Sequence, residues 1–298
     1  MELVQLTDTA YYLRGGTNAG LIVCDKQAVV VDTGLDRDTA KKILRSVDSL
    51  GVRLAGVVVT HAHADHFGGA AVLRARTGAP VYAPAFEAAI IANPLLEPLY
   101  LFSGASPPAD LRHKFTLADA CPVDATVEPG EVTIGGITVR VIAAPGHAPN
   151  QVMIASGDVC FVADACFAPE ILAKHGIPFY FDVAQTGATL TALSALDGTF
   201  AAFVPGHGAA VPRIGPWANE NGARLDEIRE AVWAALDHAG EPADILRLAA
   251  ERLNVTIPNA VIYWLMQTTV LACLSAAEAT GSVRLHAVEN RLRWEKVV

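Results

Sequence analysis

His61, His63, Asp65 and His66 fall within one short run and offer four side chains able to bind a divalent cation. Imidazole is the commonest protein ligand for zinc and suits iron as well. An apolar stretch, residues 54–60, precedes the run, and Phe67-Gly68-Gly69 with an Ala-rich helical stretch follows it. The run therefore sits where a strand ends and a helix begins, the place where α/β proteins put their chemistry. A polar turn that happens to be rich in histidine is the bland alternative, and the context speaks against it. His147 follows Ala144-Pro145-Gly146, Asp164 follows Phe161-Val162-Ala163, and His207 lies between Gly206 and Gly208 after Val204-Pro205. Each ends an apolar run beside small residues, where glycine lets the backbone turn sharply and present a side chain toward a shared point. Singly these three are weak signals; together with the first cluster they read as one metal site. A cation in such a site can lower the pKa of a bound water toward neutrality, giving a hydroxide that attacks a carbonyl or phosphoryl centre. Asp65 is then a catalytic proton shuttle as well as a ligand, and no Ser-His-Asp nucleophile is needed.

The elements that must position these residues alternate along the chain. Residues 10–33 read as strands, 39–50 as an amphipathic helix with Ile43, Leu44, Val47 and Leu50 on one face, and 54–60 as a further strand. Residues 84–122 read as an irregular insert rich in proline, with Phe86, Tyr100 and Phe102, of the kind that forms lids or binding loops. Residues 132–142 form a hairpin by their turn glycines and alternation, and 152–154, 159–162 and 201–204 continue a sheet. The helix between them is expected over 189–196. After about residue 216 three helical stretches, marked by Leu225 to Leu236, 243–253 and 259–276, precede two alternating strands around Glu289-Asn290. The expected organisation is a domain over 1–216 and a small C-terminal domain over 217–298.

His-x-His-x-Asp-His followed by a distant His, Asp and His resembles the metallo-β-lactamase superfamily, most of all its glyoxalase II-like hydrolase branch. The resemblance covers about residues 1–215 and implies an α/β (α+β) fold, an αββα sandwich. It implies that His61, His63 and His147 hold one metal, that Asp65, His66 and His207 hold a second, and that Asp164 bridges the two. Residues 28–34 end in Asp32-Thr33-Gly34 and resemble the family's early strand, which makes Asp32 a carboxylate that orients the ligands from behind; such partners fix the imidazole tautomer and raise ligand basicity. The C-terminal helices and hairpin look like a winged-helix arrangement.

Composition narrows the function. At 298 residues, 52% hydrophobic and 18% charged, the chain can bury a large core. A net charge of -9 disfavours a nucleic-acid surface, which needs clustered Lys and Arg. Residues 217–298 carry eight Lys and Arg against eleven Asp and Glu, and the third C-terminal helix offers apolar groups where a base reader would need basic ones. The uncharged stretch between Arg252 and Glu278 that contains this helix is interrupted by Thr256, Pro258, Asn259, Gln267, Thr268 and Thr269, so the helix reads as core or as a homodimer interface and not as a membrane span. The five cysteines lack paired-ligand spacing and read as reduced, which suits the cytoplasm, and Met1 to Leu6 show no secretory pattern. Cys166, two residues after Asp164, reads as a small apolar filler.

The reading is a binuclear metallo-hydrolase, with two zinc ions by default and iron or manganese compatible with the ligand set, acting on a thioester, ester, lactone or related bond of a small-molecule substrate. The alternative is a persulfide dioxygenase, similar in fold, with one iron on His61, His147 and Asp164; a third reading is a metal-binding sensor or interaction protein. The pocket rim is expected to draw on the insert and on residues 167–181, with Phe167 and Tyr180 touching substrate and an apolar or aromatic lining.

Overall fold

The computed structural model describes residues 1–297. A seven-stranded sheet runs in chain order through β1 (Glu2–Gln5), β2 (Ala10–Arg14), β3 (Ala19–Cys24), β4 (Gln27–Val31), β5 (Arg53–Val58), β6 (Val81–Ala83) and β7 (Ala125–Thr126). Its first four strands are antiparallel, and β4 to β7 pair parallel. A five-stranded sheet is built from β8 (Gly130–Ile134), β9 (Ile137–Ala143), β10 (Val152–Ser156), β11 (Val159–Ala163) and β12 (Ala202–Pro205), in the order β12-β11-β10-β9-β8.

The apolar runs of β4 and β5 are continuous because both faces of the sheet are covered. Val30, Val57 and Val59 face outward and pack on Ile43 and Val47 of α1 (Arg37–Ser49) and on Phe67 and Leu73, from α2 (Ala64–Phe67) and α3 (Ala70–Thr77). Val29, Val31 and Val58 face inward and meet Ile134, Val139, Ile154 and Phe161 of the second sheet. Behind that sheet, Val162 and Phe203 pack on Leu190 and Leu193 of α7 (Val183–Ser194). The layers are α, β, β, α, as expected. The two halves approach closely at Gly20: a Cβ there would lie 2.5 Å from Cε1 of Phe161.

Residues 84–122 are more regular than expected. They contain α4 (Ala85–Ala92), α5 (Leu96–Leu101) and a 3-10 turn at Ala109–Leu111. The prolines mark helix starts: Pro84 caps α4, Pro98 lies in the first turn of α5 and Pro108 caps the 3-10 turn. Proline is tolerated there because its missing N–H would have no partner within the helix. Helix α7 begins earlier than expected, since the Asp182 carboxylate accepts from the backbone N–H of Ala184 and Gln185.

Helix α6 (Pro169–His175) precedes α7, and the C-terminal part holds α8 (Gly215–Ala235), α9 (Pro242–Arg252), α10 (Ala260–Ala279) and the hairpin β13 (Val283–Val288) with β14 (Arg291–Lys296). Their core is shared: Ile228, Leu246, Val270 and Trp294 pack with Phe167, Leu172 and Tyr180. By length and composition α10 could cross a membrane. In this fold it packs against α7, α8, α9 and β13 and contributes Met266, Val270 and Leu274 to that core.

Phe161→Ala is expected to cost about 3–5 kcal/mol in chemical denaturation. Gly20→Ala is expected to cost about 1–3 kcal/mol through overpacking. In the double variant the new methyl enters the space left by the ring, so its loss should fall clearly below the sum.

Candidate metal centre

Seven side chains named from the sequence converge at one end of the sandwich. The ligand atoms of His61, His63 and His147 lie within 4.8 Å of one another, and so do those of Asp65, His66 and His207. A third such group is His61, His66 and Asp164. Asp164 stands between the two outer groups: its Oδ2 is 3.6 Å from His147 Nε2 and 3.5 Å from His207 Nε2, and its Oδ1 is 3.4 Å from His66 Nε2.

The backbone delivers these groups from strand ends. β5 stops at Val58, and the following loop carries His61 and His63 into the four-residue helix α2 with Asp65 and His66. β11 ends at Ala163, whose φ of 48° swings Asp164 inward, and Asp32 turns off β4 with φ 59°. Such left-handed conformations in non-glycine residues are held only where the surroundings enforce them. Gly206 is required by close approach: a Cβ there would overlap Asp164 Oδ1 and lie 2.9 Å from His66 Cε1.

Oxygen acceptors set the ring orientations. Asp32 Oδ2 lies 2.8 Å from His66 Nδ1, and Asp32 also accepts from the backbone N–H and the hydroxyl of Thr60, each at 2.8 Å. The Thr60 hydroxyl spends its proton on Asp32 and so accepts from His61 Nδ1 at 3.1 Å. His147 Nδ1 reaches the Phe179 carbonyl at 3.0 Å, and His207 Nδ1 reaches the Gly16 carbonyl at 2.6 Å. With Nδ1 as donor in these four rings, each Nε2 in the neutral form presents a lone pair inward. His63 turns Nδ1 inward instead, 2.8 Å from His147 Nε2.

Burial and charge tune the site. Burial, with neighbouring imidazoles, drives His61 well below the usual imidazole range and His63 down to about 3. Burial likewise lowers His147, although Asp164 opposes it. Burial disfavours the charged ring of His66, yet Asp164, Asp65 and Asp32 outweigh it and hold this ring well above its ordinary range. The same competition, led by Asp164, lifts His207 to about 10. Burial opposes ionisation of Asp65 and Asp164, but His66 and His207 hold both carboxyls below the carboxylate range.

The donor set fits a pair of divalent cations. His61 Nε2, His66 Nε2 and Asp164 Oδ1 are buried and have no hydrogen-bond partner. Stranding such atoms costs about 1–3 kcal/mol each, and a cation shared among them removes the cost.

Several contributors escaped the sequence reading. Glu87, buried among apolar residues of α4, accepts from Ala62 N at 2.9 Å and from Asn150 N at 2.8 Å, stapling the His61–His63 loop to the loop that follows His147. Its burial pushes the carboxyl up. A carboxylate inside an apolar helical run was the available signal. Asn18 Nδ2 donates to the carbonyls of Pro205 and Gly208 and steadies the His207 loop. Thr17 Oγ1 donates to Asp65 Oδ2 at 2.9 Å.

Phe167 lines the cavity over the site, its ring 5.5 Å from that of His147. Tyr180 does not reach that cavity. It is 2% exposed inside the C-terminal core, and its neighbour Phe179 faces the site instead, 5.1 Å from the His63 ring and 5.6 Å from His147. The cause lies on α10: the Thr269 hydroxyl accepts from Tyr180 N at 2.9 Å and donates to Pro178 O at 2.7 Å, which pins this segment so that consecutive side chains part. His113 and His175 also line the cavity, and Cys166 is buried in the core behind Asp164.

A profile of the metallo-beta-lactamase superfamily matches residues 12–228. A hydroxyacylglutathione hydrolase of Dechloromonas aromatica is 30% identical over 233 residues, 78% of this chain and 73% of that protein. One from Albidiferax ferrireducens is 32% identical over 177 residues, 58% of this chain and 54% of the relative, so this second match spans about half of its length. The crystal structure of a beta-lactamase domain protein from Burkholderia ambifaria superposes with a TM-score of 0.78 at 19% identity, over 99% of this chain and 94% of that one.

Metal loading requires neutral His66 and His207, whereas the carboxylates around them favour the protonated rings. Zinc titration at pH 7 should therefore release protons, read from calorimetry in buffers of different ionisation enthalpy, and affinity should fall as pH drops. Thr269→Val, isosteric and buried, should weaken metal binding about tenfold by loosening the carbonyl behind His147, while denaturation remains one cooperative transition.

Proposed function

This chain belongs to the metallo-beta-lactamase superfamily, and on that premise we propose that it is a binuclear metallo-hydrolase cleaving an acyl bond: a thioester, ester or lactone. The relatives named hydroxyacylglutathione hydrolase support the hydrolase class. The observation that carries the binuclear reading is the set of inward, partnerless ligand atoms on both sides of Asp164. In the proposal His61, His63 and His147 hold one cation, Asp65, His66 and His207 the other, and Asp164 bridges them, with zinc as the metal that suits this set first. Bound there, the pair would supply Lewis-acid polarisation and a water acidified toward neutrality.

The chain's own groups do the rest. Asp65 Oδ2, steadied by Thr17 and beside His207 Nε2 at 3.4 Å, is placed to hold and pass on a proton at the cavity floor. Asp32 fixes His66 through Nδ1 and, by way of Thr60, fixes His61. Phe167 and Phe179 cover the His147 edge and exclude water there. The single-iron persulfide reading uses only His61, His147 and Asp164. Retention of Asp65, His66 and His207 is compatible with that reading too, and it is the relatives named hydroxyacylglutathione hydrolase that favour hydrolysis. Residues 217–298 are proposed as a C-terminal unit, winged-helix-like in element order. Its charge balance supports no nucleic-acid role, and the cysteine pattern supports a cytoplasmic setting.

Elemental analysis should find two zinc ions per chain, with anaerobic turnover of an acyl thioester. One iron per chain with oxygen consumed on a persulfide would sink the proposal. Asp32→Asn keeps the shape but removes the carboxylate behind His66; metal affinity or kcat/KM should drop about 10- to 100-fold.

A further inference from the structure

Above the metal centre lies a cavity of about 1150 Å³. This is at or beyond the upper end of small-molecule sites, about 300–1,000 Å³, and far larger than a short hydroxy acid needs. Its wall opposite the ligands is apolar and comes from two distant parts of the chain. Phe167, Ile171 and Phe179 form one side, and Ile262, Leu265 and Met266 from the first turns of α10 form the other. Besides its packing in the C-terminal core, two contacts tie α10 to the elements around the site. Thr269 clamps the 178–180 segment, and Trp264 meets Phe102 of the insert edge to face at 5.3 Å. The side-chain cations on the wall, Lys42 and Lys174, are outnumbered by the carboxyl groups of Asp36, Glu97 and Asp110. The rim thus has no positive charge excess to recognise an anionic peptide carrier, while the aliphatic and thioether groups offer adaptable apolar contact.

We infer that the acyl group of the substrate is a hydrocarbon chain, several carbons longer than a hydroxy acid, lying between the 167–179 segment and the start of α10. This rests on the acyl-hydrolase reading, and it makes the C-terminal unit a wall of the substrate site. Burial of apolar surface is what such a wall rewards, roughly in proportion to chain length.

The test separates binding from turnover. Acetate, butyrate, hexanoate and octanoate are titrated into the full-length, zinc-loaded protein by calorimetry. The expected result is tightening at each step, at least tenfold from acetate to octanoate. Ile262→Ser with Leu265→Ser should abolish most of that gain and leave acetate binding and zinc stoichiometry unchanged; both side chains are partly exposed, so the fold tolerates them. Equal affinity for acetate and octanoate, or a gain that survives the double substitution, overturns the inference. A second arm compares octanoyl and short hydroxyacyl thioesters. Turnover of the short substrate alone sinks the chain-length inference and spares hydrolysis. Tight octanoate binding with no turnover of any acyl thioester, ester or lactone sinks hydrolysis and spares the pocket.

Discussion

Buried ligand atoms left without a hydrogen-bond partner govern this structure. His61 Nε2, His66 Nε2 and Asp164 Oδ1 are sealed from water and aimed at one another's neighbourhood. Isolated in a low-dielectric interior, such groups destabilise a fold; surrounding a cation, they become its reason. The cost explains the care taken behind the ligands. Asp32, Thr60, the Gly16 carbonyl and the Phe179 carbonyl each occupy an Nδ1, so that the opposite nitrogen has a defined lone pair. A ring free to flip would exchange lone pair for proton and spoil the cluster. The two sheets supply the rigidity, because strand ends packed on both faces cannot drift independently.

Much of this was legible in residue order. Valine runs in β4 and β5 announce strands buried on both faces, and ligand-type residues at their ends announce the edge where chemistry gathers. Glycine and proline beside His147 and His207 mark the turns. What stayed hidden is information that no local pattern carries. Glu87 looks like a stray charge in α4 until Ala62 and Asn150 are seen to donate to it. Phe179 and Tyr180 are adjacent aromatics, and Thr269, some ninety positions later, pins the segment so that Phe179 faces the histidine cluster. The helices within residues 84–122 were hidden by their own prolines, which read as interruptions although they occupy caps and first turns.

The C-terminal helices are therefore joined to the centre by more than covalent continuity. Their core includes Phe167 and Tyr180, which flank the metal loop, and α10 grips the segment whose carbonyl holds His147. The path from Thr269 through Pro178 and Phe179 to His147 consists of hydrogen bonds and one short stretch of backbone. A displacement of α10 would act on the segment whose carbonyl meets His147 Nδ1.

Gly206 shows how narrow the tolerances are. No atom beyond the backbone fits between it and the Asp164 carboxylate. In a mutational library, every codon other than those for glycine at this position should be purged by selection for function, and even alanine, elsewhere the mildest of changes, would act as a plug. A saturating screen would thus see a lone hydrogen atom, not an imidazole, as one of the least replaceable groups in the molecule.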